Sequence, residues 1–405
     1  MGNLRLALRN LLRNRMRSAI ALAAIGFSVV ALLLAGGFIE WVFWATREAA
    51  IQNGLGHIHV VRSGYRDAGS ADPNRYLLPE KSPELAALES APDVVVVSPR
   101  LDFSGLISRG EATLSFVGEG VDAKREPLVS RVLQIVAGDG LSDSDPGGVI
   151  LGAGLAANLG ASPGDKVVLL VTRKSGGVNA VEVNVRGLFM TEAKGYDDTG
   201  LRAPIALVRN LLQVSGSHVW VIGLDKTERT KEMVERFRAR FASSNLQFVP
   251  WYDLADFYSK TVTLLSSQMN VVRFMIGLII VLSISNLLVM SVLERTGEIG
   301  TLMAIGARRR RVLELFLSEG ALLGLLGAAI GIAIGTTLAS IISMVGIPMP
   351  PPPGRSAGYS AQILVTWRLL VGAAAIAFGT TLMASFYPAW KASRLDVVDA
   401  LRRNR

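Results

Sequence analysis

The chain has 405 residues, of which 50% are hydrophobic and 19% charged, with a mean hydropathy of +0.39. That balance is too apolar for an ordinary soluble protein and too charged for one wholly embedded in lipid, and the length allows roughly two or three domains. No cysteine is present, which excludes a disulfide framework, a thiolate metal site and a cysteine nucleophile.

The formal charge of +9 is unevenly spread. Between Ala45 and Leu265, 24 Lys/Arg stand against 26 Asp/Glu, whereas the remainder carries 18 against 7. Nucleic-acid binding needs a basic folded domain, so no nucleic acid is expected as a partner. An excess confined to short segments beside apolar runs fits the positive-inside rule instead.

Residues 1–17 come first. Leu4, Leu8, Leu11 and Leu12 recur at helical spacing, with Arg5, Arg9 and Arg13 on another stripe. This predicts an amphipathic helix in the cytoplasmic interface, with membrane lipids as partners. Residues 18–46, "AIALAAIGFSVVALLLAGGFIEWVFW" at their centre, are long enough to cross a bilayer. The apolar core exceeds the roughly 7–15 residues of a signal peptide and ends in no small-x-small site, so an anchor is expected.

Residues 47–265 read as a large α+β domain. "HIHVV" (His57 to Val61), "DVVVVSPRL" (Asp93 to Leu101), "ATLSFVGEGV" and "HVWVIGL" have strand character. "GGVILGAGLAANLGASPGDKVVLLV" reads as turn, helix, turn, strand, and "AVEVNVRGLF" should pair with "KVVLLV" across the tip "TRKSGGVN". "PIALVRNLLQV" reads as a helix opened by proline. "TERTKEMVERFRARF" reads as a helix with Thr227 as its N-cap. His57 and His59 share a strand face, where two metal ligands could stand, but no third lies at telling spacing. An exposed strand pair is the better reading. No G-x-x-x-x-G-K-[ST], G-x-S-x-G or H-E-x-x-H occurs, and no catalytic carboxylate pair stands out.

Three more spans follow, at 266–293, 315–347 and 367–390, separated by a loop at 294–314 and an outer loop at 348–366 that contains "PMPPPPG". Only helices satisfy their backbone in lipid, so all four spans should be helical. The basic flanks before the first span, between the second and third, and in the tail 391–405 put both termini and the 294–314 loop in the cytoplasm and the large domain outside. In the third span Gly320 and Gly324, then Gly327, Gly331 and Gly335, recur every fourth residue, spacing that lets helices pack closely. They could serve packing inside the subunit or an interface between subunits.

The 294–314 loop reads "ERTGEIGTLMAIGARRRR" at its start. A short amphipathic helix bounded by Gly297 and Gly306, too small for a core of its own, should present apolar residues to another protein. This stretch resembles the cytoplasmic loop of FtsX-like permeases of ABC systems, which include macrolide-exporter and lipoprotein-releasing permeases. "SFYPAWKASRLDVVDALR" is similar to the family's ending, and "ALRNLLRNRMRSAIALAAIGFSVVALLLAGG" to its beginning. "GGVILGAGLAANLGASPGDKVVLL" is similar to a segment of its MacB-like outer domains, and lipoprotein-releasing subunits are the nearest resemblance.

The resemblance implies a non-catalytic permease subunit in the bacterial inner membrane. It implies a second permease subunit, identical or different, and two copies of a separate cytoplasmic ABC ATPase. ATP and magnesium would be bound by that ATPase, and this chain would hold no cofactor and no metal. Glu294, Arg295, Glu298, Ile299, Leu302, Met303 and Ile305 would form the coupling helix through which ATPase closure moves the periplasmic domain. The load would be a lipoprotein or another amphiphile; efflux of macrolides or peptides, or signalling to a periplasmic partner, are the alternatives. A periplasmic adaptor or chaperone is a further candidate partner, although the tip "TRKSGGVN" is short beside the long hook of chaperone-loading members. A membrane-anchored enzyme and a channel fit less well, for want of catalytic clusters and of ionisable rows in the spans.

Overall fold

The computed structural model describes residues 7, 9–11, 13, 15–69, 72–131, 133–174, 176–191, 193–350 and 359–394. Leu4, Arg5, Leu8 and Leu12 of the interfacial helix, most of the proline-rich loop and the basic tail from 395 onward lie outside them; Arg9, Asn10, Leu11 and Arg13 are helical. The chain divides into two compact units, one of spans (residues 1–44, 261–349 and 360–405) and one extracytoplasmic (residues 45–260 and 350–359).

Helix α1 (Arg15–Ala50) is followed by a π-type turn, Ile51–Leu55, that ends in two glycines of positive φ, Gly54 (+106°) and Gly56 (+63°). The extracytoplasmic unit then contributes strands β1 (Ile58–Arg62), β2 (Val94–Arg109), β3 (Ala112–Val121), β4 (Gln134–Gly138), β5 (Gly148–Gly152), β6 (Lys166–Thr172), β7 (Val178–Met190), β8 (Gly200–Pro204), β9 (Val219–Leu224) and β10 (Leu246–Pro250). Their spatial order is β10-β1-β9-β2-β3-β8-β5-β7-β4, with β6 paired to both β2 and β7. The β3–β8 and β5–β7 pairs are parallel and the others antiparallel.

Helices α2 (Pro83–Glu89), α3 (Ala153–Leu159), α4 (Ile205–Leu212) and α5 (Thr230–Arg240) cover the sheet. Ser82 caps α2 by accepting from Leu85 N at 3.1 Å, with Pro83 at the first turn where its missing N–H costs nothing. Leu155 and Leu159 of α3 and Val208 and Leu211 of α4 bury against Leu101, Phe103 and Phe116. Leu85 and Leu88 of α2 and Met233, Val234 and Phe237 of α5 close a second core over Ile58, Trp220 and Phe248.

Three readings of this domain change. "GGVIL" is strand β5, not a turn: its flanking glycines resemble turn chemistry, but Val149, Ile150 and Leu151 are buried between β7 and β8. Thr227 opens a 3-10 turn, Thr227–Arg229, and caps no helix through its side chain. Its hydroxyl instead donates to Glu48 Oε1 (3.2 Å) and lies 3.1 Å from His57 Nε2. His57 and His59 are not an exposed pair. His57 Nδ1 accepts from Leu224 N (3.0 Å), and His59 Nε2 lies 2.7 Å from Leu55 O. Interior polar groups must be paired, and these rings are spent on the backbone of their own unit. The described residues of the β6–β7 tip form a tight turn, with Arg173 N bonded to Gly177 O and Gly176 N to Arg173 O, each at 3.0 Å.

The chain then enters α6 (Asp256–Glu294), followed by α7 (Thr296–Ala304), α8 (Arg309–Val345), the two-stranded pair β11 (Ile347–Met349) and β12 (Tyr359–Ala361), and α9 (Trp367–Ser393). Helices α1, α6, α8 and α9 each carry an apolar window long enough to cross a membrane. α6 starts at Asp256, before the apolar run expected from residue 266, because "DFYSKT" continues the helix without contributing hydrophobicity. Ala21, Ile25, Val29 and Leu33 of α1 meet Ile280, Ile284 and Leu288 of α6, Leu323 and Ala328 of α8, and Ala373 and Ala377 of α9. Pro388 lies inside α9 and cannot donate to Ala384 O. Ser285 Oγ of α6 donates to that carbonyl at 2.9 Å, the compensation a proline needs within a span.

Candidate functional site

The elbow between α6 and α8 is built by two local breaks. Arg295 (φ −98°, ψ 14°) leaves helical geometry, and Thr296 Oγ1 turns back to donate to Val292 O (3.1 Å) and Leu293 O (2.8 Å). These bonds occupy carbonyls that the end of α6 would otherwise leave open. α7 stops before Gly306 (φ +94°), where a side chain would strain the backbone, and Ala307 N closes on Leu302 O at 3.1 Å.

The predicted coupling residues divide by direction. Ile299 is buried against Val292, Val312, Phe316, Ala389 and Ala392, and Met303 packs at the edge of the same cluster. Leu302 and Ile305 point outward, 44% and 78% exposed. The inner residues thus seat α7 on the span ends, and the outer two form its free apolar face.

The three charged residues each find a partner. Arg295 Nη1 donates to Glu319 Oε1 at 3.1 Å, with both side chains buried. Asn10 Nδ2 donates to the same oxygen at 2.6 Å, and Arg295 Nη2 reaches Asn10 O at 3.5 Å. Arg13 Nη2 donates to both carboxylate oxygens of Glu298, at 2.9 and 2.8 Å, and Arg17 is bidentate to Glu294. The two solvent-exposed pairs contribute little, because water and salt screen them. The buried pair acts differently: removing one member strands a desolvated charge. Asn10, Arg13, Arg17 and Glu319 were not among the site residues read from the sequence. A lone carboxylate in an apolar run is a signal for a hidden partner, and Glu319 was one.

The glycines of α8 sort onto two neighbours. A Cβ on Gly327 would meet Ile25 at 2.7 Å, one on Gly331 would meet Val29 at 2.6 Å and Gly26 O at 2.8 Å, and one on Gly335 would meet Leu33 at 2.8 Å, all on α1. A Cβ on Gly320 would collide with Ser385 Oγ, and one on Gly324 would lie 3.3 Å from Phe378 Cα and Thr381 Cβ, both on α9. Absence of side chains at these five positions is what lets the backbones approach. Among the described residues no group of three or more His, Asp or Glu is placed to hold a metal ion.

Two family models match the chain. The FtsX-like permease C-terminal model covers residues 270–397, and the MacB-like periplasmic core domain model covers residues 18–240. The macrolide export ATP-binding/permease protein MacB of Burkholderia lata is 36% identical over 151 residues, 36% of this chain and 19% of that protein. The protein of the same name from Syntrophobacter fumaroxidans is 31% identical over 163 residues, 37% of this chain and 20% of its own length. The match therefore spans about a fifth of these relatives. An uncharacterized ABC transporter permease of Methanocaldococcus jannaschii is 25% identical over 290 residues, 69% of this chain and 68% of that one. The crystal structure of the periplasmic region of MacB from Actinobacillus actinomycetemcomitans aligns over 52% of this chain and 94% of its own, at 14% identity and a TM-score of 0.37.

Proposed function

Because the chain belongs to the FtsX-like permeases and carries their MacB-like periplasmic core domain, we propose that it is the membrane subunit of an ABC transporter that works by mechanotransmission. The chain hydrolyses nothing itself. A separate cytoplasmic ATPase, two copies in a complex with two permease subunits, docks on the 294–314 elbow and pushes it on closing. The second permease subunit is a copy of this chain or a relative. The protein sits in the inner membrane with its large domain in the periplasm and the elbow in the cytoplasm.

The observation that carries this reading is the construction of α7. Leu302 and Ile305 form an exposed apolar face, while Ile299 and Met303 anchor the same short helix to α8 and α9 from behind. An exposed apolar patch on a helix held from its other side suits a partner that must transmit force. The load is a lipoprotein or another amphiphile extruded from the outer leaflet. A second reading, efflux of a macrolide-like small molecule, is favoured by the names of the bacterial relatives.

The test is reconstitution in proteoliposomes with a separately purified ABC ATPase from the same organism. Lipoprotein-stimulated ATP hydrolysis that macrolides do not evoke supports the first reading, and the reverse pattern supports the second. Failure of any ABC ATPase to bind the elbow in crosslinking overturns both.

A further inference from the structure

The extracytoplasmic unit buries a four-charge cluster that the proposed function does not use. Glu126, on a single helical turn (Glu126–Val129), is 5% exposed. It accepts from Arg100 Nη2 at 2.6 Å and Nε at 3.2 Å, from Ser130 Oγ at 2.6 Å, from Ser98 Oγ at 3.0 Å, and from Arg202 Nη1 at 3.4 Å. Arg202 also pairs with Glu119 at 3.0 Å. Arg100 comes from β2, Arg202 from β8 and Glu119 from β3, so the cluster ties three strands to one turn.

Such clusters are costly. Desolvating the charges offsets much of their mutual attraction, and apolar replacements of similar volume often leave a protein as stable or more so. Stability is therefore a poor explanation for this one. Its position supplies another. Gly54, in the turn that follows α1, lies directly over it: a Cβ there would be 3.0 Å from Ser130 Oγ, 3.3 Å from Arg202 Nη2 and 3.4 Å from Arg100 Nη2. The next fixed points continue the contact. Leu55 O is 2.7 Å from His59 Nε2, Gly56 N donates to Ile51 O at 2.9 Å, and a Cβ on Gly56 would collide with Val221 Cγ1. On the other flank, Glu48 accepts from Thr227, and Arg47 pairs with Glu228 at 3.1 Å.

We propose that Glu126, acting through Arg100, Arg202 and Ser130, is a positioning residue that seats the Gly54 turn and so fixes the Ala45–Ala50 stretch of α1 within this unit. The proposal rests on the mechanical reading of function, since a stroke delivered along α1 would reach the sheet through this turn. A guanidinium pair held by one carboxylate gives a stiff, flat seat, and glycine is the residue that can lie on it with φ near +106°.

The test needs no ATPase. The chain has no cysteine, so introduced pairs are its only labelling sites. A spin-label pair at Ala49→Cys and Ser115→Cys reports the turn, and a pair at Ser115→Cys and Lys231→Cys reports the unit itself. Each pair is placed in the full chain, in Gly54→Ala, and in the volume-preserving triple variant Arg100→Met, Glu126→Leu, Arg202→Met. The expected result is a narrow distance distribution for both pairs in the parent, and a shifted, broadened one for the first pair alone in both variants. A first pair that stays narrow in either variant overturns the proposal. So does broadening of both pairs together in the two variants, which would make the cluster a general support. A transport assay on the same variants tests the mechanical reading separately, because the distances do not depend on it.

Discussion

Arg295 and Glu319 meet at 3.1 Å, buried, although 24 residues separate them and one stands at the break between α6 and α7 while the other lies well inside α8. Asn10 completes the contact from the far end of the chain at 2.6 Å. One carboxylate thereby joins the N-terminal segment, the elbow and α8. Breaking it from one side should be severe: Glu319→Leu or Arg295→Met alone is expected to cost about 3–5 kcal/mol, whereas the double replacement should recover most of that loss. Thermal unfolding of the purified chain in detergent reads this, and equal destabilisation in the single and double variants would refute it.

The two faces of α7 predict opposite phenotypes. Leu302→Asp should leave expression and thermal stability near the parent's, because the side chain is already exposed, while abolishing productive contact with the ATPase. Ile299→Asp places a charge in the cluster around Phe316 and should destabilise the elbow by several kcal/mol. Crosslinking yield to the ATPase, set beside the melting temperature, separates the two. Loss of stability in Leu302→Asp would contradict the assignment of faces.

Much of this arrangement was legible from the sequence. Four spans, the glycine rows of α8, the strand character of β2 and β3 and the β6–β7 pair follow from hydropathy, spacing and turn chemistry, which are local. What was not legible is non-local. Glu319 shows as a lone charge in an apolar run, and nothing in its neighbourhood names Asn10 or Arg295. Ile299 and Leu302 look alike in a helix of nine residues, and only the packed neighbours Val312 and Ala389 decide which of them is inside. Likewise Thr227 has the chemistry of a cap, but Glu48 and His57 compete for its hydroxyl.

The α1–α8 seam should be intolerant of even one methyl. Gly331→Ala would force a Cβ to within 2.6 Å of Val29 and 2.8 Å of a backbone oxygen, for an expected loss of about 1–3 kcal/mol. Gly372→Ala in α9 meets nothing within 4 Å and should be neutral or stabilising by up to about 1 kcal/mol through helix propensity. Comparing the two melting temperatures checks the seam without reference to function.

Acid should weaken the extracytoplasmic unit. Burial lowers the pKa of His218 to about 4, and burial with the nearby Arg100 charge lowers that of His59 to about 4. Both rings stay neutral in the folded unit while the unfolded chain protonates near pH 6.5. Their contribution is thus full above about pH 6.5 and is lost as pH falls toward 4, by at most about 3 kcal/mol each. Asp102 opposes this: burial and the Glu119 charge raise its pKa to about 6, so it gains relative stability below that pH. Two histidines against one carboxyl predict a net loss. Fluorescence of the buried Trp220 and Trp251 during heating follows it. His218→Phe, which preserves the ring stack on Tyr65, should flatten the profile; an unchanged slope would rule His218 out.

The glycine rows of α8 have a mechanical corollary. The row at 327, 331 and 335 is notched over Ile25, Val29 and Leu33, and the row at 320 and 324 over Ser385 and Thr381. At 3.6 residues per turn all five positions fall within one stripe about 80° wide, so α8 behaves like a key notched along a single edge that engages different neighbours at successive heights. Rolling it about its long axis would lift both rows out of register at once. On the mechanical function proposed above, a displacement received at the elbow would then pass along this helix as translation and not as torque.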